Sequence, residues 1–237
     1  MPITIRAAHA ALIAAAVTAG VAACGSSAPV DPLASLSANQ IMSKTMTDLK
    51  AASSVRFSGT VNDSGQNIAM DLTITKDGSC RGTMSESSTG TMDIVAVGQT
   101  VWFQMTAKFW SSEGISNSAE ASELAGKYIS LPENSSTMSG FSQLCSPSGL
   151  ASSFTSKKNA LKKGTESTID GQKVLAIKDS ADSAVAYVSD TAAPELIHLT
   201  GSGSNKGSSV DFTGYGDKVL ITAPPSNEVI DGSKLGM

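Results

Sequence analysis

Between Ser37 and Pro225 the hydrophobic period switches from helical to two, once and early, and holds at two for most of the remaining chain. Ser37 can cap a helix, and Ile41, Met42, Thr45, Met46 and Leu49 come at helical spacing, which predicts an amphipathic helix over residues 38 to 52. Val55, Phe57 and Val61 then alternate with Arg56, Ser58 and Thr60, and Met70, Leu72 and Ile74 alternate with Asp71 and Thr73. Asp77-Gly78 is a hairpin signal that returns the chain through Cys80 to Met84. Met92, Ile94 and Ala96 form the next strand face, and Gly98-Gln99 turns into Val101, Phe103 and Met105. The pattern predicts one continuous antiparallel meander.

The middle of the chain reads differently. Residues 118 to 126 suit a short helix ending at Gly126, and Lys127 to Leu131 suit a strand stopped by Pro132. Residues 133 to 163 are Ser-rich, with short helices expected around 139 to 145 and 148 to 162. Strands resume at Thr165–Ile169, turn at Asp170-Gly171 into Lys173–Lys178, and continue through 184–189, 195–200, 208–212 and 218–221. About eleven strands with no long linker imply an α+β fold in a single domain, residues 37 to 237. The expected architecture is a large curved antiparallel sheet, a half-barrel wrapped around a few helices.

The N-terminus has its own logic. Arg6 supplies positive charge, Ala10 to Ala23 form a weakly apolar stretch, and small residues close it, as in a secretory signal. The stretch is too short and too alanine-rich for a membrane span, which needs about 20 apolar residues. Val21-Ala22-Ala23-Cys24 resembles the lipobox of bacterial lipoproteins. That resemblance implies a signal peptide over residues 1–23, acylation of the Cys24 thiol, and a flexible tether over residues 24–36. It also implies anchoring to the membrane through that lipid, on the extracytoplasmic face of the cell membrane. An ordinary cleaved signal with an incidental cysteine is the plainer alternative. The chain carries 21 acidic and 17 basic residues, and this balance argues against a nucleic-acid partner.

Two further cysteines, Cys80 and Cys145, remain. In an exported protein such a pair most simply forms a disulfide, the alternative being two free thiols. Catalytic chemistry has little to work with. Beyond the leader His198 is the one histidine, it lies in a strand pattern, and no G-x-S-x-G elbow accompanies it. One histidine and two distant cysteines provide no metal-ligand spacing. GSGSNKG at residues 201–207 lacks P-loop spacing and reads as a hairpin loop. Lys157, Lys158, Lys162 and Lys163 form the one basic cluster, either a solvated helix face or a contact for anionic headgroups. Neither a cofactor nor enzymatic activity is expected.

The methionines stand out, because strands ordinarily favour β-branched residues. Met70, Met92 and Met105 share a parity with Leu72, Ile74, Ile94 and Phe103, so all should face one side. Flexible thioethers suit a surface that adapts to varied chains, and they equally suit gap-filling in a solid core.

The order of elements, with the stretches GTVNDSG, VGQTVWFQM, GKYISLP, VSDTAAPELIHL and VDFTGYGDKVLITAPP, resembles the LppX/LprAFG lipoproteins of mycobacteria and their relatives. These are similar in fold to the LolA/LolB lipoprotein carriers. The resemblance spans residues 38 to 225 and implies an apolar cavity that takes the acyl chains of lipids or glycolipids. Helical spacing and strand parity nominate Met42, Met46, Leu49, Met70, Leu72, Ile74, Met92, Ile94, Phe103 and Met105 as its lining. A membrane-anchored lipoprotein that binds or shuttles acylated lipid is the leading expectation. A protein-interaction or scaffold module of the envelope with a filled core is the alternative, its protein partner unknown.

Overall fold

A computed structural model describes residues 31–63, 65–112, 114–115, 117–135, 141–154, 161–180, 184–203 and 206–235. The leader, Cys24, Lys157 and Lys158 lie outside the described residues. Residues 31–235 hold one hydrophobic core that runs from Leu33 to Ile230. Leu33 is already buried, at 1% exposure, so packing begins ahead of residue 37.

Helix α1 spans Ala38–Ala51. It starts where the sequence places it because Ser37 and Gln40 form a reciprocal capping box. The Gln40 amide donates to the Ser37 hydroxyl at 3.3 Å, and the Ser37 amide donates to the Gln40 side chain at 2.8 Å. Its buried stripe is Ala38, Ile41, Thr45, Met46 and Leu49. Among the described residues four shorter helices come later: α2 at Ala107–Ser112, α3 at Ser118–Ala125, α4 at Phe141–Leu144 and α5 at Pro147–Phe154. Helix α5 packs on α1, and α1 lies against the sheet.

The strands are β1 Ser54–Asp63, β2 Gln66–Thr75, β3 Cys80–Glu86, β4 Gly90–Val97, β5 Thr100–Met105 and β6 Tyr128–Pro132, then β7 Leu161–Ile169, β8 Gln172–Asp179, β9 Val185–Ser189, β10 Leu196–Thr200, β11 Ser209–Thr213 and β12 Val229–Asp231. Together they form an open, curved sheet ordered β12-β6-β5-β4-β3-β2-β1-β11-β10-β9-β8-β7. Two meanders run outward from a shared seam where β1 pairs antiparallel with β11.

Four expectations need correction. Residues 218–221 are not a strand: their alternation is real, but they make no ladder, and the last strand is β12. That strand pairs parallel with β6, so the sheet is mixed rather than wholly antiparallel. The second expected helix ends at Phe154, and Leu161 and Lys162 already belong to β7. Lys162 and Lys163 therefore sit on a strand rather than a helix face. Lys163 donates to the carbonyls of Leu33 and Ala34 at 2.6 and 3.0 Å, which pins the segment before α1 to the sheet edge.

Cys80 on β3 and Cys145 after α4 are bonded, with an S–S distance of 2.04 Å and a Cα–Cα distance of 5.1 Å. The bridge fastens the helical insertion to the sheet. Two glycines permit close approach of neighbouring strands. A Cβ at Gly59, whose φ is +150°, would stand 2.1 Å from the Ser209 carbonyl oxygen, and one at Gly82 would stand 1.9 Å from that of Asp71. Glycines at such positions let a sheet coil tightly.

Candidate functional site: the inner face of the sheet

Strand register sorts the inward side chains into rows that cross the strands. One row contains Phe212, Phe57, Leu72, Gly82, Ile94 and Phe103. A second contains Val55, Ile74, Cys80, Ala96 and Val101. A third contains Gly59, Met70, Met84, Met92 and Met105, each directly opposite the next. The nominated strand residues thus share one face, whereas Met42, Met46 and Leu49 lie on α1, which packs against α5, β7 and β10. They are not equally enclosed. Met46, Leu49, Leu72, Ile74, Ile94, Phe103 and Met105 are buried, whereas Met42, Met70, Met84 and Met92 are only half-buried against the core. Met84, absent from the nominated lining, is the residue that makes the methionine row continuous.

The buried polar atoms without a partner include one on α1 and one on α2. The Thr45 hydroxyl, in the buried stripe of α1, and the Trp110 indole N–H, in α2, are buried without a hydrogen-bond partner among the described residues. A buried donor left unmade costs about 1–3 kcal/mol, so each is a place where a ligand's polar atom would be stabilising.

Charge gathers where Asp48 of α1 comes near Glu195, just ahead of β10. The Glu195 carboxyl is held above the usual carboxylate range, first by burial and then by the negative Asp48 on α1. Tyr215 donates to the Leu196 carbonyl at 2.8 Å, and burial together with Glu195 raises its hydroxyl well above the usual phenol range. For an acid whose folded pKa is raised, the ionised form destabilises the fold, so stability is greatest at low pH and is lost as pH climbs through the folded value. Glu195→Gln is therefore expected to raise the melting temperature at neutral pH. Melts across the acid range will show the gap closing as the wild-type carboxyl protonates; a variant that melts lower at neutral pH would refute this assignment.

Two clefts open elsewhere. One, of about 530 Å³, lies between the β2–β3 turn at Thr75–Ser79 and the segment Gly216–Ile221. The other, of about 360 Å³, is bounded by Ile169, Glu195, Ile197, Phe212 and Tyr215. None of the ten nominated residues lines either cleft.

His198 is less isolated than its sequence suggests. On the outer face its Nδ1 lies 2.6 Å from Asp211 Oδ1, and its Nε2 lies 3.4 Å from the Ser209 hydroxyl. Strand pairing brings these three together, since His198 faces Asp211 directly and Ser209 lies two residues before Asp211 on β11. The set resembles a nucleophile, base and acid, yet it borders neither cleft. Its strands spend their backbone N–H groups on the ladder, which leaves none to hold an oxyanion. Tyr187 covers the imidazole with ring centroids 5.7 Å apart. The arrangement is a polar cross-strand ladder. Among the described residues no cluster of three or more His, Cys, Asp or Glu could hold a metal, and no helix is long and apolar enough to cross a membrane.

No protein-family model matches the chain, and no curated protein does either. Solved structures do. LprF from Mycobacterium bovis superposes with a TM-score of 0.55 at 15% identity, over 80% of this chain and 97% of LprF. The Mycobacterium tuberculosis lipoprotein LppX is similar more loosely, with a TM-score of 0.46 at 13% identity over 77% of this chain and 96% of LppX. With a single curved sheet, a capped first helix and a disulfide-fastened helical insertion, this chain is similar in fold to LprF.

Proposed function

We propose that this protein is a lipid-anchored envelope lipoprotein that binds or shuttles an acylated lipid or glycolipid between its sheet and its helices. The observation that carries this reading is the uneven closure of the inner face. The side chains of the other two rows are buried, while Met70, Met84 and Met92 stay half-buried against the core. Apolar surface left in water favours an occupant by about 25 cal/mol for each Å² it removes. Lipidation of Cys24 would hold the protein on the extracytoplasmic face of the cell membrane, where two acyl chains suffice for stable anchoring. Catalysis and cofactors have no part in this function.

Native mass spectrometry and organic extraction of the chain purified from residue 24 with Cys24→Ala, expressed in a related bacterium, test the reading. Near-stoichiometric co-purified lipid is expected. A clean apo mass that persists with added phospholipid and glycolipid would end it.

One observation favours a second reading, a protein-interaction module. Residues 218–225 belong to no helix or strand, Leu220 is 87% exposed, and Leu220 borders the 530 Å³ cleft. An exposed apolar side chain beside a cleft, on a segment outside the sheet, gives a protein partner a place to dock.

A further inference from the structure

The methionine row has a direction, a length and one polar end. Gly59, Met70, Met84, Met92 and Met105 stand opposite one another across β1 to β5, so the row runs perpendicular to the strands. Five adjacent strands span about 19 Å, which an extended hydrocarbon zigzag covers with roughly 15 carbons. At the β1 end Gly59 has no side chain, and Val210 closes the line at 7% exposure. At the β5 end the chain turns from Met105 straight into α2, where the Trp110 amide donates to the Thr106 carbonyl at 3.2 Å. Trp110 therefore lies one helical turn from the end of the row and belongs to the same core cluster as Met105. Its side chain is 4% exposed, and its N–H lacks a partner among the described residues.

We propose that one straight saturated acyl chain lies across the strands along this row, with its ester carbonyl at the β5 end accepting a hydrogen bond from Trp110. The proposal rests on the lipid-binding reading and specifies its ligand as a long-chain acyl ester held tail-first toward Gly59. Thioethers suit the role because an unbranched, polarizable side chain follows a mobile hydrocarbon better than a rigid branched one. A row built of valine or isoleucine would hold fixed ridges instead. Each methylene added along the row should tighten binding about fourfold until the row is full, so affinity climbs to about 15 carbons and then levels off.

The test uses the Cys24→Ala chain with Trp102→Phe, which leaves Trp110 as the one tryptophan of two. Stearoyl esters brominated near the ester, at mid-chain or at the tail are titrated in, and tryptophan quenching is followed. Quenching is expected to be severalfold stronger from the near-ester probe than from the tail probe. Paired Met84→Gln and Met92→Gln substitutions, nearly isosteric at half-buried positions, should weaken binding about tenfold. Lipid that binds with flat or reversed quenching, or with unchanged affinity for the glutamine pair, overturns this orientation and leaves the lipid-binding reading intact. A chain that takes up no acyl ester at all overturns both.

Discussion

Reduction of the Cys80–Cys145 bridge will lower the stability of the fold by about 4 kcal/mol, as expected for opening a loop of this length in the unfolded chain. The bridge closes 65 residues and joins β3 to the helical insertion. Both sulfurs are buried, with Cys80 at 0% and Cys145 at 2% exposure, so a double alanine variant also leaves a small void. Urea unfolding of the oxidised chain, the reduced chain and the double variant provides the measurement. In a domain of this size the loss corresponds to a melting temperature lower by roughly 10 °C. Identical midpoints with and without reductant would mean that the insertion is held by packing alone.

The second large effect concerns the seam. Gly59→Ala is expected to cost about 3 kcal/mol or more, or to prevent folding. Two causes add at this residue. Its φ of +150° is one that side chains rarely adopt, and its Cβ would lie 2.1 Å from the Ser209 carbonyl and 2.8 Å from the Val210 Cα. The obstacle is backbone on β11, so no rotamer change relieves it. Because β1 and β11 join the two meanders, pushing them apart loosens the whole sheet. Thermal unfolding of purified Gly59→Ala would contradict this if the variant came within about 1 kcal/mol of the wild type, the range of an ordinary substitution.

Much of this architecture can be read from local sequence. The Ser37–Gln40 box starts α1 at the expected residue because capping is settled within one turn. Gly98-Gln99, a two-residue turn, sets Met92 opposite Met105, so half of the methionine row comes from turn length alone. What sequence conceals is long-range pairing. No local signal links β1 to β11, whose paired residues lie far apart in the chain, as Phe57 and Phe212 do, and it is this pairing that gives Gly59 its crowded neighbour. The same kind of pairing builds the Ser209–His198–Asp211 ladder, which no motif announces. Residues 218–221 mislead for a related reason: alternation records the habit of a strand, and a strand also needs a neighbour. The orphaned N–H of Trp110 is equally hidden, because a donor's partner is absent or present only in three dimensions. An aromatic with a polar handle one turn after a strand end is its one trace in the sequence.

The nominated lining divides along physical lines as well. Residues opposite other strands at mid-sheet, such as Leu72, Ile94 and Phe103, are buried. Met70, Met84 and Met92 lie one row further along the same strands and keep partial exposure. Parity alone treats both groups alike, since it reports the face of a sheet and not the height along it.

The most direct test of an acyl-binding inner face is methyl NMR of the Cys24→Ala chain labelled at its methionine methyl groups, titrated with a long-chain acyl ester. The account predicts saturable shifts of Met70, Met84, Met92 and Met105 that all fit one dissociation constant. Methyl signals of the row that remain unmoved at saturating lipid would contradict it.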